Sequence, residues 1–322
     1  MFLNLATAAG DANAGLLKDI EEERQRLNKL DAVDYEAVNT LKWKVIKQLY
    51  PLQKKTIFAS KEYKEYFDLN KHWLIPYVAF CYFRDKYNSA DFNSWQTHKN
   101  YDAEEVAALL EPTSTSFDEI AIHLYVQYLL HLQLKEATQY AHDNGIIVKG
   151  DIPIGIYRYG ADAWQHPELY HMDMQAGAPP DDFAVTGQNW GFPTYNWEKM
   201  QEDGFAWWKQ RFEQMSYYFD AFRIDHILGF FRIWSIPTHS VEGIMGHFEP
   251  SIPVHIHEFN QRGIWFDYGR YCKPYITEQF DEFKTYYTKH TCLYFIPIIA
   301  WLSYELFSYK KDEKIFNYAL IY

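Results

Sequence analysis

The chain has 322 residues, of which 48% are hydrophobic and 23% charged, and its formal net charge is −12. A chain of this length holds about two domains or one large one, and its composition excludes a disordered or collagen-like polymer. The acidic balance argues against a nucleic-acid partner held by phosphate neutralisation.

In chain order, residues 11–111 predict a mostly helical region. Residues 16–30 set Asp, Glu, Lys and Arg between Leu and Ile, the pattern of an amphipathic helix with a solvated face. Residues 35–49 repeat that pattern, and 62–67 and 73–86 predict further helices rich in aromatic side chains. Residues 112–237 are better punctuated. Ser116-Phe-Asp-Glu119 reads as a capping box, and Asn144-Gly145 as the stop of a long helix. The β-branched run 146–154 predicts a buried strand. A long loop punctuated by Pro and Gly then spans 155–197; loops of that length are usually functional. Phe205, Trp208, Phe212, Met215 and Phe219 recur at helical spacing, and Ala221-Phe-Arg-Ile-Asp225-His226 predicts a second strand. Helix, strand, loop, helix, strand is the order of a parallel α/β fold. In a β/α barrel the chemistry sits at the C-terminal strand ends, where this chain places Asp151 and Asp225.

Aromatic residues reach 19%. Most are expected to fill the core, although flat rings also suit sugars. Cys81, Cys272 and Cys292 have no disulfide or zinc spacing, which favours a reducing, cytoplasmic compartment. The N-terminal ten residues lack the basic region of a signal peptide. The apolar run 292–302 is shorter than the roughly twenty residues of a membrane span, so no membrane association is expected. His239, His247, His255, His257 and Glu258 lie near one another in sequence but fit no zinc pattern. No metal or cofactor is expected.

Four motifs carry a resemblance: Lys149-Gly-Asp-Ile-Pro-Ile154, Ala178-Pro-Pro-Asp181, Thr186-Gly-Gln-Asn-Trp-Gly-Phe-Pro193 and Phe222-Arg-Ile-Asp-His226. In order and spacing they resemble the 4-alpha-glucanotransferases, the amylomaltases or disproportionating enzymes. Tyr195-Asn-Trp-Glu198, Phe205-Ala-Trp-Trp208 and Gly229-Phe-Phe-Arg-Ile-Trp234 look most like the branch of the plant cytosolic enzyme and its bacterial relatives, as does Val33-Asp-Tyr-Glu-Ala37. The resemblance covers about residues 15–280. It implies an α/β fold, a (β/α)8 barrel with a large helical insertion on its N-terminal side. Residues 11–111 would be that insertion, 112–280 a partial barrel and 281–322 a tail without family pattern. The implied activity is the retaining transfer of α-1,4-glucan segments between maltooligosaccharides. Carried onto matching positions, Asp225 would be the nucleophile and Arg223 the group that orients it. Asp151 and His226 would bind the sugar at the reacting subsite, and Asp181, Gln188, Trp190 and Gly191 would line the glucan groove.

The chain also departs from the family. The general acid/base glutamate sits in a Gly-Glu-Asp-Leu-Gly-like strand, and no such string occurs between His226 and Tyr322. A later family aspartate that follows a histidine is missing as well, and only two of the eight barrel strands are identified. The resemblance therefore predicts a fragment of a catalytic domain with impaired transfer, dependent on the missing strands or on a complementing chain. Two alternatives remain at this level: a non-catalytic glucan-binding remnant, and an α-glucan hydrolase of related fold.

Overall fold

The computed structural model describes residues 2–251 and 254–271. The chain divides into two compact units, Met1–Phe248 and Glu249–Tyr322. The tail 281–322, the apolar run 292–302, Cys272 and Cys292 lie outside the described residues.

The first unit begins helical, as expected. Helices α1 (Leu5–Ala9), α2 (Gly15–Lys18) and α3 (Glu21–Asn28) lead into α4 (Tyr35–Ala59) and α5 (Lys61–Tyr87). The single helix expected over 16–30 is broken at Asp19 and Ile20. Ile20 is buried and stands as the N-cap of α3. Asp34 and Ser60 start the two long helices by accepting the backbone N–H of Ala37 at 2.9 Å and of Tyr63 at 3.2 Å. The two helical stretches expected over 62–67 and 73–86 are one continuous helix, with Pro76 inside it. Tyr66, Asn70, Leu74, Val78, Ala79 and Phe83 are buried along it, and that packing outweighs the one backbone bond the proline removes.

After α6 (Ala103–Leu109) comes α7 (Phe117–Asp143), with both ends where the sequence puts them. Its start works differently from a capping box. Ser116 does not cap the helix; its hydroxyl lies 3.0 Å from that of Tyr82. Asp118 in the first turn accepts from Lys54 at 2.6 Å and from Tyr50 at 2.8 Å. Helices α4, α5 and α7 share one core built on Val45, Leu49, Leu74, Val78, Ile120, Leu124 and Tyr125.

Strand β1 (Lys149–Ile152) follows. It is shorter than the run 146–154 and alternates exposed with buried, because only one face meets the core. Ile146 and Ile147 are exposed. The segment 155–197, expected as loop, holds α8 (Ala161–Gln165), β2 (Tyr170–His171), β3 (Met174–Ala178), β4 (Gln188–Asn189) and β5 (Thr194–Tyr195). Helices α9 (Trp197–Glu202) and α10 (Ala206–Ser216) lead to β6 (Ala221–Ile224) and β7 (Ile233–Pro237). Phe205 and Phe219, expected on the helix face, flank α10 instead of lying within it.

Strands β1 and β6 pair in parallel, Lys149 opposite Ala221 through Ile152 opposite Ile224. This is the parallel pairing that the element order predicts. Strand β3 pairs antiparallel with both β4 and β7, and β2 with β5. Among the described residues no helix is long and apolar enough to cross a membrane.

The second unit contains α11 (Ile256–Gln261). His255 starts it: its ring accepts the His257 N–H at 3.3 Å, and Glu258 accepts the His255 N–H at 3.3 Å. The two histidine rings stack at 4.6 Å. His255, His257 and Glu258 thus form a helix start, and no metal-holding group of three His, Cys, Asp or Glu occurs among the described residues.

Candidate functional site

The parallel register sets Asp151 directly opposite Arg223. Arg223 donates through Nε to one Asp151 oxygen at 3.0 Å and through Nη2 to the other at 2.6 Å, a bidentate fork. The same Nη2 lies 3.6 Å from Asp225 Oδ1. Residues two apart on a strand share a face, so one guanidinium bridges carboxylates from both strand ends. The Asp151 hydrogen bonds, then the charges of Asp151 and Asp225, raise the guanidinium above its usual range. These side chains are 60% (Arg223), 53% (Asp151) and 52% (Asp225) exposed. An ion pair that open is screened by solvent and adds little stability.

His226 adopts a left-handed conformation, φ 48°, just beyond β6. Burial pushes its imidazole below the usual range, while the Asp225 charge opposes that shift. A neutral imidazole can donate from one nitrogen and accept at the other. The Trp190 ring meets His226 edge-on, centroids 5.0 Å apart, and Phe192 stacks on Trp190 at 5.8 Å. The Trp190 indole donates to Gln188 Oε1 at 3.0 Å. Gly191 sits at φ +78°, where a side chain would strain the backbone. Its N–H donates to Asn189 Oδ1 at 3.0 Å.

The expected site residues thus fall into three groups. Asp151, Arg223 and Asp225 form one ion-paired cluster. His226, Trp190, Gln188 and Gly191 form a second, joined in sequence to the first at Asp225–His226. Asp181 stands apart, in the turn between β3 and β4. Its carboxylate accepts the N–H groups of Phe183 at 2.9 Å and Ala184 at 2.7 Å, which folds its own loop. No hydrogen bond or ion pair joins Asp181 to the other groups among the described residues.

Arg158 braces the segment that bears Trp190 and was missed in the sequence. It donates to three backbone carbonyls, of Gly191 at 3.1 Å, Met172 at 2.6 Å and Met174 at 2.5 Å. It therefore ties β3 to the segment bearing Trp190. Its local signal is weak: it is the one cation in Ile156-Tyr-Arg-Tyr-Gly160. Asn189 was also missed as an anchor; its amide donates to the Val241 carbonyl at 3.0 Å.

The chemistry available is that of a carboxylate held beside a fixed cation, next to a neutral imidazole and an aromatic surface. The family described as 4-alpha-glucanotransferase matches residues 1–294. The 4-alpha-glucanotransferase DPE2 of rice (Oryza sativa subsp. japonica) is 42% identical over 278 residues, covering 86% of this chain and 29% of the rice protein. The 4-alpha-glucanotransferase of Chlamydia muridarum is 31% identical, covering 72% of this chain and 43% of its own length. The chain thus spans less than half the length of these relatives. Amylomaltase from Streptococcus agalactiae, solved in complex with acarbose, superposes with a TM-score of 0.60 at 24% identity, over 78% of this chain and 52% of that one. Amylomaltase from Corynebacterium glutamicum superposes with a TM-score of 0.57 at 20% identity, over 81% of this chain and 32% of that one. At those identities the likeness establishes a shared fold.

Proposed function

Because the chain belongs to the 4-alpha-glucanotransferase family, we propose that it carries the nucleophile side of a centre for retaining α-1,4-glucan transfer, with Asp225 as nucleophile. The observation that carries this reading is Arg223, which forks onto Asp151 and sets its Nη2 3.6 Å from Asp225 at the adjacent strand end. An attacking carboxylate works as the anion, and Arg223 stands as a counter-charge 3.6 Å from Asp225. Asp151 and neutral His226 would bind hydroxyls of the sugar being transferred. Gln188, Trp190 and Gly191 would form the wall along which the glucan runs, and Asp181 would shape the loop at its edge.

A retaining transfer also needs a carboxyl group that protonates the leaving oxygen, about 5–5.5 Å from the nucleophile. The family's string for that glutamate does not occur from 226 to 322. Losing a general acid costs about 10²–10⁴ in rate, so the chain alone transfers slowly. The same reading makes residues 112–280 part of a (β/α)8 barrel, with 11–111 as its helical insertion. The exposed strand β6, paired to β1 alone among the described residues, supports it. Missing strands would come from further chain or from a complementing chain.

The test is incubation with maltotriose and chromatography of the products, with Asp225→Asn as control. A weak ladder of longer maltooligosaccharides that disappears in the control is expected. A ladder that persists in Asp225→Asn would remove Asp225 from the role. Glucose and maltose alone would indicate hydrolysis. Maltotriose binding with no products would favour the non-catalytic remnant, the alternative that the absent glutamate string supports.

A further inference from the structure

A groove of about 1580 Å³ opens between α4, α5 and α7 in the first unit. It exceeds the roughly 300–1,000 Å³ of an ordinary ligand pocket, so a small ligand would fill part of it. None of the residues placed at the glucan site lines it. Buried Cys81 and His123 do, and half-buried Trp43 meets the His123 ring edge-on, centroids 5.3 Å apart.

Charge sets this groove apart. The chain carries a net charge of −12. Yet the groove gathers five cations, Lys44, Lys47, Lys54, Arg84 and Lys86, against three carboxylates, Asp85, Asp118 and Glu119. Two cations are already satisfied: Lys54 lies 2.6 Å from Asp118, and Arg84 lies 2.8 Å from Asp85. Lys86 stands over the Tyr82 and Tyr87 rings, at 5.6 and 6.0 Å. Lys44 and Lys47 are exposed, and their side chains make no hydrogen bond or ion pair among the described residues. Three residues apart on α4, they are neighbours on one helix face. Glu119 is the one lining carboxylate left to oppose Lys44, Lys47 and Lys86, so two positive charges remain in surplus.

That surplus selects a ligand class. Like charges gathered without a counter-charge repel, and an anion relieves the repulsion. A carboxylate brings one negative charge. A phosphate monoester brings about 1.5 to 2 at pH 7, with three acceptor oxygens for ammonium donors. Asn39 and Thr40 line the groove one turn before Trp43 and Lys44 and add neutral donors. Trp43 offers a ring face to an organic group attached to the phosphate.

We propose that this groove binds a small phosphate monoester, with Lys44 and Lys47 holding the phosphoryl group and Trp43 the organic group beside it. The site is separate from Asp225 and its chemistry, so it stands or falls independently of glucan transfer.

The experiment is calorimetric titration of the full chain with adenosine 5′-monophosphate, ribose 5-phosphate, uncharged adenosine and a hexaglutamate peptide. The variants are Lys44→Gln/Lys47→Gln, Lys44→Arg/Lys47→Arg and Lys55→Gln/Lys64→Gln. All four lysines are exposed, so the fold is not at risk, and Lys55 and Lys64 lie outside the groove. The expected result is ester binding that weakens about tenfold in Lys44→Gln/Lys47→Gln, persists in the arginine variant and is unchanged in Lys55→Gln/Lys64→Gln. Added salt should weaken it as well. Equal affinity for the two esters would mean that the phosphoryl group carries recognition, and unequal affinity that Trp43 selects the organic part; both support the proposal. Four results would overturn it: no binding of either ester, adenosine binding as tightly as its monophosphate, equal loss in the two glutamine variants, or no loss in Lys44→Gln/Lys47→Gln. Hexaglutamate binding more tightly than both esters would also overturn it, and would assign the groove to an acidic protein segment.

Discussion

Arg223 can serve two carboxylates at once because a guanidinium presents its donors in a rigid planar fork. Lysine offers one mobile point charge and cannot reproduce the pair of bonds to Asp151 at 3.0 and 2.6 Å while staying near Asp225. Arg223→Lys is therefore expected to lower the maltotriose ladder rate by roughly 10²-fold, the scale of a small misplacement of reacting groups. The thermal midpoint should scarcely move, because the pair is exposed and structurally weak. A rate within about twofold of the parent would show that bidentate positioning is irrelevant. Asp225 and Arg223 stood out in the sequence through the motif resemblance, and strand alternation puts the two on one face. The tighter partnership of Arg223 with Asp151 was not legible there, because it depends on the register between strands 72 residues apart.

At the scale of elements, α7 shows how much a helix end depends on one backbone conformation. Gly145 stands at φ +70°, its N–H donates to His142 O at 2.9 Å, and the Ile146 N–H donates to Ala141 O at 2.9 Å. That is a Schellman ending, which asks for a left-handed residue. A Cβ on Gly145 would meet nothing within 4 Å, so substitution there is penalised by conformation alone. Gly145→Ala should destabilise by about 1–2 kcal/mol. Gly15, inside α2 and equally open, is the control: Gly15→Ala should be neutral or stabilising by about 0.4–1 kcal/mol. Urea unfolding of both variants checks this; equal shifts would refute it. The stop at Asn144-Gly145 was readable because its cause is local. The start at Ser116 was read correctly but its capping box was not formed, because the Ser116 hydroxyl meets Tyr82, 34 residues away. The short strands β2, β4 and β5 have two residues each, too few for any periodicity.

Across the whole molecule, two half-buried imidazoles link stability to acid. Burial holds His131 below its usual range, helped by the Lys135 charge, and burial does the same to His226 against the pull of Asp225. Below about pH 6.5 the unfolded chain takes up protons at these positions while the native state resists them. Their effect is absent above that pH, and stability falls as the pH drops through it, until the native imidazoles protonate. The urea midpoint should therefore fall between about pH 7.5 and pH 5.5, and a His131→Asn/His226→Asn double variant should lose most of that slope. A midpoint flat across that window in the parent chain would contradict the assignment.

The sequence by itself determined the helical first third, the long helix α7, the β1–α–β6 order and the family. Each of these rests on local periodicity, turn chemistry or motif spacing, which act over a few residues. Only the tertiary structure decided that Arg223 forks onto Asp151 and that Arg158 clamps the Trp190 segment through three carbonyls. It alone brought Lys44 and Lys86 to one groove and left Asp181 to fold its own loop. Backbone carbonyls, strand register and cavity walls belong to segments distant along the chain, and no local pattern records which of them will meet.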